Sequence, residues 1–80
     1  MELQRLRVVF RAALELSDDA VVDGLEYRGI EKWDSLAHMS LVAAIEDEFG
    51  VTLDTDEVID LSSFDRARQI LEKQGVVLTD

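Results

Sequence analysis

Apolar residues recur at helical spacing along the first sixteen positions. Leu3, Leu6, Val9, Phe10, Ala13 and Leu16 share one stripe, with Arg5, Arg7 and Arg11 outside it. This predicts an amphipathic helix over residues 2–16 with one core-facing side. Ser17, Asp18 and Asp19 break the pattern, and Gly24 and Gly29 punctuate the stretch that follows, up to Trp33. Loops beyond about 12 to 15 residues are uncommon in small domains and are usually functional or mobile. Val21, Val22, Leu25 and Ile30 are the residues available to pin this one to a core.

A second helix is predicted from Ser35 to Phe49. Asp34 is placed to cap it by accepting first-turn N–H groups, and Gly50 follows its last residue. Val51-Thr52-Leu53 reads as a short extended link. Asp54 with Glu57 three residues later forms a capping-box pattern for a short helix near 55–60. Ser62 is the expected cap of a fourth helix in which Phe64, Ala67, Ile70 and Leu71 share a face, and Gly75 stands where a terminating glycine belongs. The competing strand readings, Val51–Leu53 and Val76–Leu78, are each three residues long, too short for an independent sheet. The expected fold is all-α, a small four-helix bundle with three longer helices and one short one, forming a single domain over residues 1–80.

Composition narrows the function. The chain has 80 residues, 48% of them hydrophobic and 32% charged, which suits one compact domain and leaves little room for a large catalytic cleft. Without cysteine there is no disulfide, thiolate nucleophile or cysteine zinc site, and one histidine cannot build a multi-histidine metal site. No apolar run approaches the roughly 18 residues of a membrane span and no leader pattern opens the chain, so a cytoplasmic protein with no membrane insertion is expected. The net charge of −10 would repel nucleic acid. That charge is uneven, because residues 31–60 hold nine acids and one base. An acidic run is ordinarily a solvated face, so a site needs further support.

The second helix supplies it. His38, Leu41, Val42, Ile45 and Phe49 lie within about 100° of arc on a helical wheel, a normal core face. Leu36, Met39 and Ala43 form a second apolar strip on another side, with Ser35 between the two faces and Glu46 and Asp47 bordering the strip. A hydroxyl, an apolar strip and acids thus converge at the start of one helix. Asp34, Ser35 and His38 could suggest a hydrolase triad, but they succeed one another along a single turn and diverge radially, so that reading is rejected. His38 is expected to pack behind Ser35, and Trp33 to anchor the loop.

Lys32-Trp33-Asp34-Ser35-Leu36, followed by the helical pattern ending Ile45-Glu46-Asp47-Glu48-Phe49-Gly50-Val51, resembles the acyl carrier protein family. The likeness spans essentially the whole chain, most strongly from Trp33 to Leu71. It implies a non-catalytic carrier whose Ser35 bears a covalent 4′-phosphopantetheine arm derived from coenzyme A. Acyl or aminoacyl intermediates would ride on that arm as thioesters in fatty-acid, polyketide or specialised biosynthesis. The implied partners are a phosphopantetheinyl transferase and acyl- or aminoacyl-loading and transferring enzymes with basic docking patches. Asp34, Leu36, Met39, Glu46, Asp47, Asp56 and Glu57 would form the docking surface of a monomeric carrier. Ala37 and Ser40 stand where fatty-acid carriers often place acids, which makes a specialised pathway at least as fitting as the housekeeping one. Met1 and the lack of linker sequence favour a free-standing protein. The rival reading is an unmodified acidic adaptor that binds one protein through the Leu36/Met39 face.

Overall fold

In the computed structural model, residues 2–78 form α1 (Glu2–Ala13), α2 (Ser35–Phe49), α3 (Thr55–Asp60) and α4 (Phe64–Lys73). No strand occurs among the described residues, and the all-α four-helix reading holds. The expected limits 1 and 80 of the domain lie outside the described residues.

α2 follows its sequence signals residue for residue. Asp34 Oδ1 accepts the Ala37 N–H at 2.9 Å, and Gly50 ends the helix in the left-handed region at φ 65°, where a side chain would be strained. α3 carries the expected capping box, in which Glu57 N–H donates to Asp54 Oδ1 and Asp54 N–H donates back to Glu57 Oε1. α4 closes ahead of Gly75, as its pattern predicts.

Two boundaries differ. α1 stops three residues short of its apolar stripe, because Glu15 adopts φ 56° and the Leu16 N–H turns back to the Arg11 carbonyl at 2.8 Å. That six-residue closure is the Schellman ending usually supplied by glycine. Glutamate in its place leaves no stop signal in the sequence. At α4 the cap is Ser63, whose Oγ accepts the Arg66 N–H at 3.0 Å. The expected cap, Ser62, is engaged elsewhere, its carbonyl accepting the Tyr27 N–H at 2.8 Å.

The core joins Leu6, Val9 and Phe10 of α1 with Leu41, Val42 and Ile45 of α2 and Phe64, Ala67, Ile70 and Leu71 of α4. α3 contributes no buried residue. Phe10 sits between two aromatic edges, Trp33 at 5.5 Å and Phe64 at 4.9 Å between ring centroids, a favourable edge-to-face geometry. The long loop is pinned by Val22 and Trp33, both fully buried, with Leu25 and Ile30 half-buried. Val21 is a correction to the expected set, since it is 81% exposed. Its neighbour Val22 takes the inward position and is fully buried, and the path of the loop turns only one of the two toward the core. Backbone bonds then staple the loop to the start of α4: besides the Tyr27 bond to Ser62, the Phe64 N–H donates to the Leu25 carbonyl at 3.0 Å.

Ile45 is 1% exposed, whereas Phe49 is half-buried beneath the Arg5 guanidinium, 5.1 Å from its ring centroid. Ile45→Ala should therefore cost about 2 to 5 kcal/mol. Phe49→Ala, whose ring is partly solvated already, should cost less, and urea denaturation of the two variants checks the order.

Candidate functional site

Ser35 opens α2 with its hydroxyl on the exposed surface. Helix geometry leaves the first-turn N–H groups of Ser35 and Leu36 without an intrahelical acceptor, which makes this end of α2 favourable to negative charge. Asp34 lies alongside, its Oδ1 turned toward the helix and occupied by the Ala37 N–H.

Two loop residues reach the same hydroxyl. The Arg28 guanidinium donates from Nη2 to Ser35 Oγ at 3.1 Å, and Tyr27 Oη lies 3.1 Å from that oxygen on a second hydrogen bond. The guanidinium also stands over the Tyr27 ring, 5.3 Å from its centroid. The Ser35 contact, followed by the Arg28 contact, holds the Tyr27 phenol below its usual range. Gly29 lets the chain turn here, because a Cβ at that position would come within 2.9 Å of the Glu26 carbonyl oxygen. Sequence reading does not single out Tyr27 or Arg28. The available signal was a base within an acidic stretch, placed directly before a glycine turn.

Behind Ser35, Trp33 is fully buried and donates its Nε1–H to His38 Nδ1 at 3.0 Å. The indole can only donate, so Nδ1 must accept, and the proton of the neutral ring lies on Nε2, 3.0 Å from the Val58 carbonyl. Both ring nitrogens are thereby committed to the fold. Among the described residues the His38 ring makes no hydrogen bond to the Ser35 or Asp34 side chain, and only its backbone N–H meets the Asp34 carbonyl, at 2.9 Å, as the first helical bond of α2, which agrees with rejecting the triad. The anchoring expected of Trp33 is present.

The second strip of α2 stands open, Leu36 at 79% and Met39 at 57% exposure; on α3, Ile59, absent from the sequence reading, is exposed at 75%. The acids named with them divide. Glu46 Oε2 accepts the Leu53 N–H at 2.8 Å and so fastens the link after α2. Glu57 serves the α3 capping box and lies 3.3 Å from the Gln74 amide. Asp47 and Asp56 are exposed and make no ion pair or capping bond among the described residues. An open hollow of about 270 Å³ lies between the end of α1 and the first turns of α2, lined by Leu14, Lys32, Leu36 and Ala37 among others. No group of three or more potential metal ligands occurs among the described residues, and no described helix is long and apolar enough to cross a membrane.

His38→Ala would strand the buried indole N–H, an omission that costs about 1 to 3 kcal/mol. Thermal denaturation should show that loss. Emission from the single tryptophan should move to the red as the loop loosens.

Two comparisons with known proteins bear on this site. A family model described as Phosphopantetheine attachment site matches residues 4–67. No curated protein matches the chain.

Proposed function

The chain belongs to the phosphopantetheine attachment family, and from that premise we propose that Ser35 bears the arm and that the chain carries acyl or aminoacyl groups between biosynthetic enzymes. The carrier role and the covalent 4′-phosphopantetheine are properties of the family, whose domains are generally non-catalytic. The observation that supports Ser35 most directly is its placement: an exposed hydroxyl at the head of a capped helix, within the matched stretch, with a cation on its oxygen. The surroundings fit a phosphodiester. Its negative charge would meet the Arg28 guanidinium and the open end of α2, where an anion is favoured by about 0.3 to 1 kcal/mol.

When bound, the arm supplies the thiol that a chain without cysteine lacks. The protein's own share is to present Ser35 on a fixed backbone to a transferase and to keep Trp33 and His38 behind it locked. Docking of partner enzymes is assigned to Leu36 and Met39 as the apolar centre, with Asp34, Asp47 and Asp56 as the acidic surround. Glu46 and Glu57 act through the shape of that surface. Exposed ion pairs contribute only about 0 to 1 kcal/mol each, so the acids steer basic partners more than they hold them, as suits a shuttle. A whole-chain carrier domain working in the cytoplasm completes the reading. The neutral residues Ala37 and Ser40 support a specialised pathway at least as well as fatty-acid synthesis.

Incubation with coenzyme A, Mg²⁺ and a broad-specificity phosphopantetheinyl transferase should add one phosphopantetheine to the intact mass. Ser35→Ala should abolish that gain with a stability change of no more than about 0.5 to 2 kcal/mol. Loading that persists in the alanine variant would remove Ser35 from the assignment, and a wild-type chain that never loads would favour the unmodified adaptor. Asp47→Lys together with Asp56→Lys should fold normally but lower the rate at which the transferase loads the chain, with the deficit shrinking as salt is added.

A further inference from the structure

We propose that Tyr27 and Arg28 form a clamp for the phosphodiester on Ser35, exchanging the hydroxyl they hold in the unmodified chain for the phosphate oxygens of the modified one. The inference rests on the assignment of the arm to Ser35.

Three features of the loop support a purpose beyond binding a hydroxyl. Arg5, Arg7, Arg66 and Arg68 each pair with a carboxylate. Of the other two arginines, Arg11 donates to the Ala20 carbonyl inside the fold, and Arg28 makes no carboxylate pair among the described residues, although acids outnumber bases by 18 to 8, and is spent instead on a neutral serine. An exposed hydroxyl has water at hand and does not need a guanidinium. A phosphodiester does match one, because the planar fork of N–H donors fits phosphate oxygens and carries the opposite charge.

The second feature is backbone conformation. Arg28 sits at φ 62°, in the left-handed region that non-glycine residues seldom occupy. Such a conformation persists where the surroundings hold it, often at functional positions. Here the Arg28 N–H donates to the Trp33 carbonyl at 3.2 Å, and the Gly29 N–H to the Glu26 carbonyl at 2.8 Å. The result is a cation aimed at the first residue of α2.

The third is rigidity. The Tyr27 N–H is tied to Ser62, and its ring lies 6.2 Å from Trp33 and 5.0 Å from His38 between centroids. The clamp is therefore mounted on the buried anchor of the loop and on the start of α4. Asp34 is the opposing charge beside Tyr27, but its Oδ1 is held by the Ala37 N–H.

Tyr27 is the single tyrosine in the chain, so tyrosinate absorbance reads this residue alone. Its surroundings are Arg28, Asp34 and the His38 ring. Loading of the wild type should move the titration up, because a neighbouring negative charge disfavours the phenolate. In ³¹P spectra the phosphodiester of the folded loaded chain should resonate away from the same group in urea. Arg28→Asn, with a residue that tolerates the left-handed backbone, should return the resonance toward the urea position. Tyr27→Phe, which keeps the ring contacts, should return it part of the way and carries the measurement should the asparagine variant load poorly. A wild type that gains no mass overturns the Ser35 assignment and the clamp with it. A wild type that loads, but whose ³¹P resonance is unmoved by folding or by either substitution, overturns the clamp and leaves Ser35 standing.

Discussion

A buried indole N–H must find an acceptor, and the way this protein meets that demand organises the rest of the molecule. Trp33 is fully buried, and its Nε1–H reaches His38, whose other nitrogen reaches the Val58 carbonyl. One chain of hydrogen bonds thus connects the end of the long loop, the second turn of α2 and the body of α3. Each link is required by the one before it. The indole fixes the histidine tautomer, and the tautomer requires a carbonyl on the far side. α3 buries no residue of its own, so this bond and the half-buried Val58 are part of what ties a short surface helix to the rest.

The same anchor explains how a loop can present chemistry. A segment from Ser17 to Trp33 would ordinarily wander, yet its far end is sealed by Trp33 and its middle is stapled through Leu25 and Tyr27 to the backbone around Ser62 and Phe64. Between those fixed points the chain has little freedom, and Tyr27 and Arg28 are delivered to Ser35. Rigidity is placed behind the serine and exposure in front of it. The hydroxyl and the apolar side chains Leu36, Met39 and Ile59 face solvent, while the residues that hold them are bonded to the fold.

Much of this was legible in the sequence, and most of what was missed lies in contacts between distant segments, with the end of α1 a local exception. α2 and α3 were readable to the residue because their ends carry chemical signals: Asp34, Gly50 and the Asp54/Glu57 pair perform locally the function their types suggest. The end of α1 was not, because Glu15 takes a conformation that its side chain does nothing to announce. Ser62 and Ser63 are alike as caps, and the choice between them is made by Tyr27, thirty-five residues earlier, through a backbone bond. Val21 and Val22 are likewise identical in type, and only the path of the loop decides which is buried. Local capping is written in residue identity, whereas contacts between distant segments depend on where the backbone has already been led.

The acids around the site show the same division. By position Glu46 and Asp47 are equivalent borders of one apolar strip, and by charge Asp56 and Glu57 are interchangeable. In the fold, Glu46 and Glu57 satisfy backbone N–H groups, while Asp47 and Asp56 remain at the surface. A carboxylate engaged by a backbone N–H shapes the link between helices, and its field is partly spent there. One left in solvent keeps its charge available to a partner at a distance set by ionic strength. Net charge alone therefore overstates the steering surface, since some of the acids that make this chain so negative are components of its architecture.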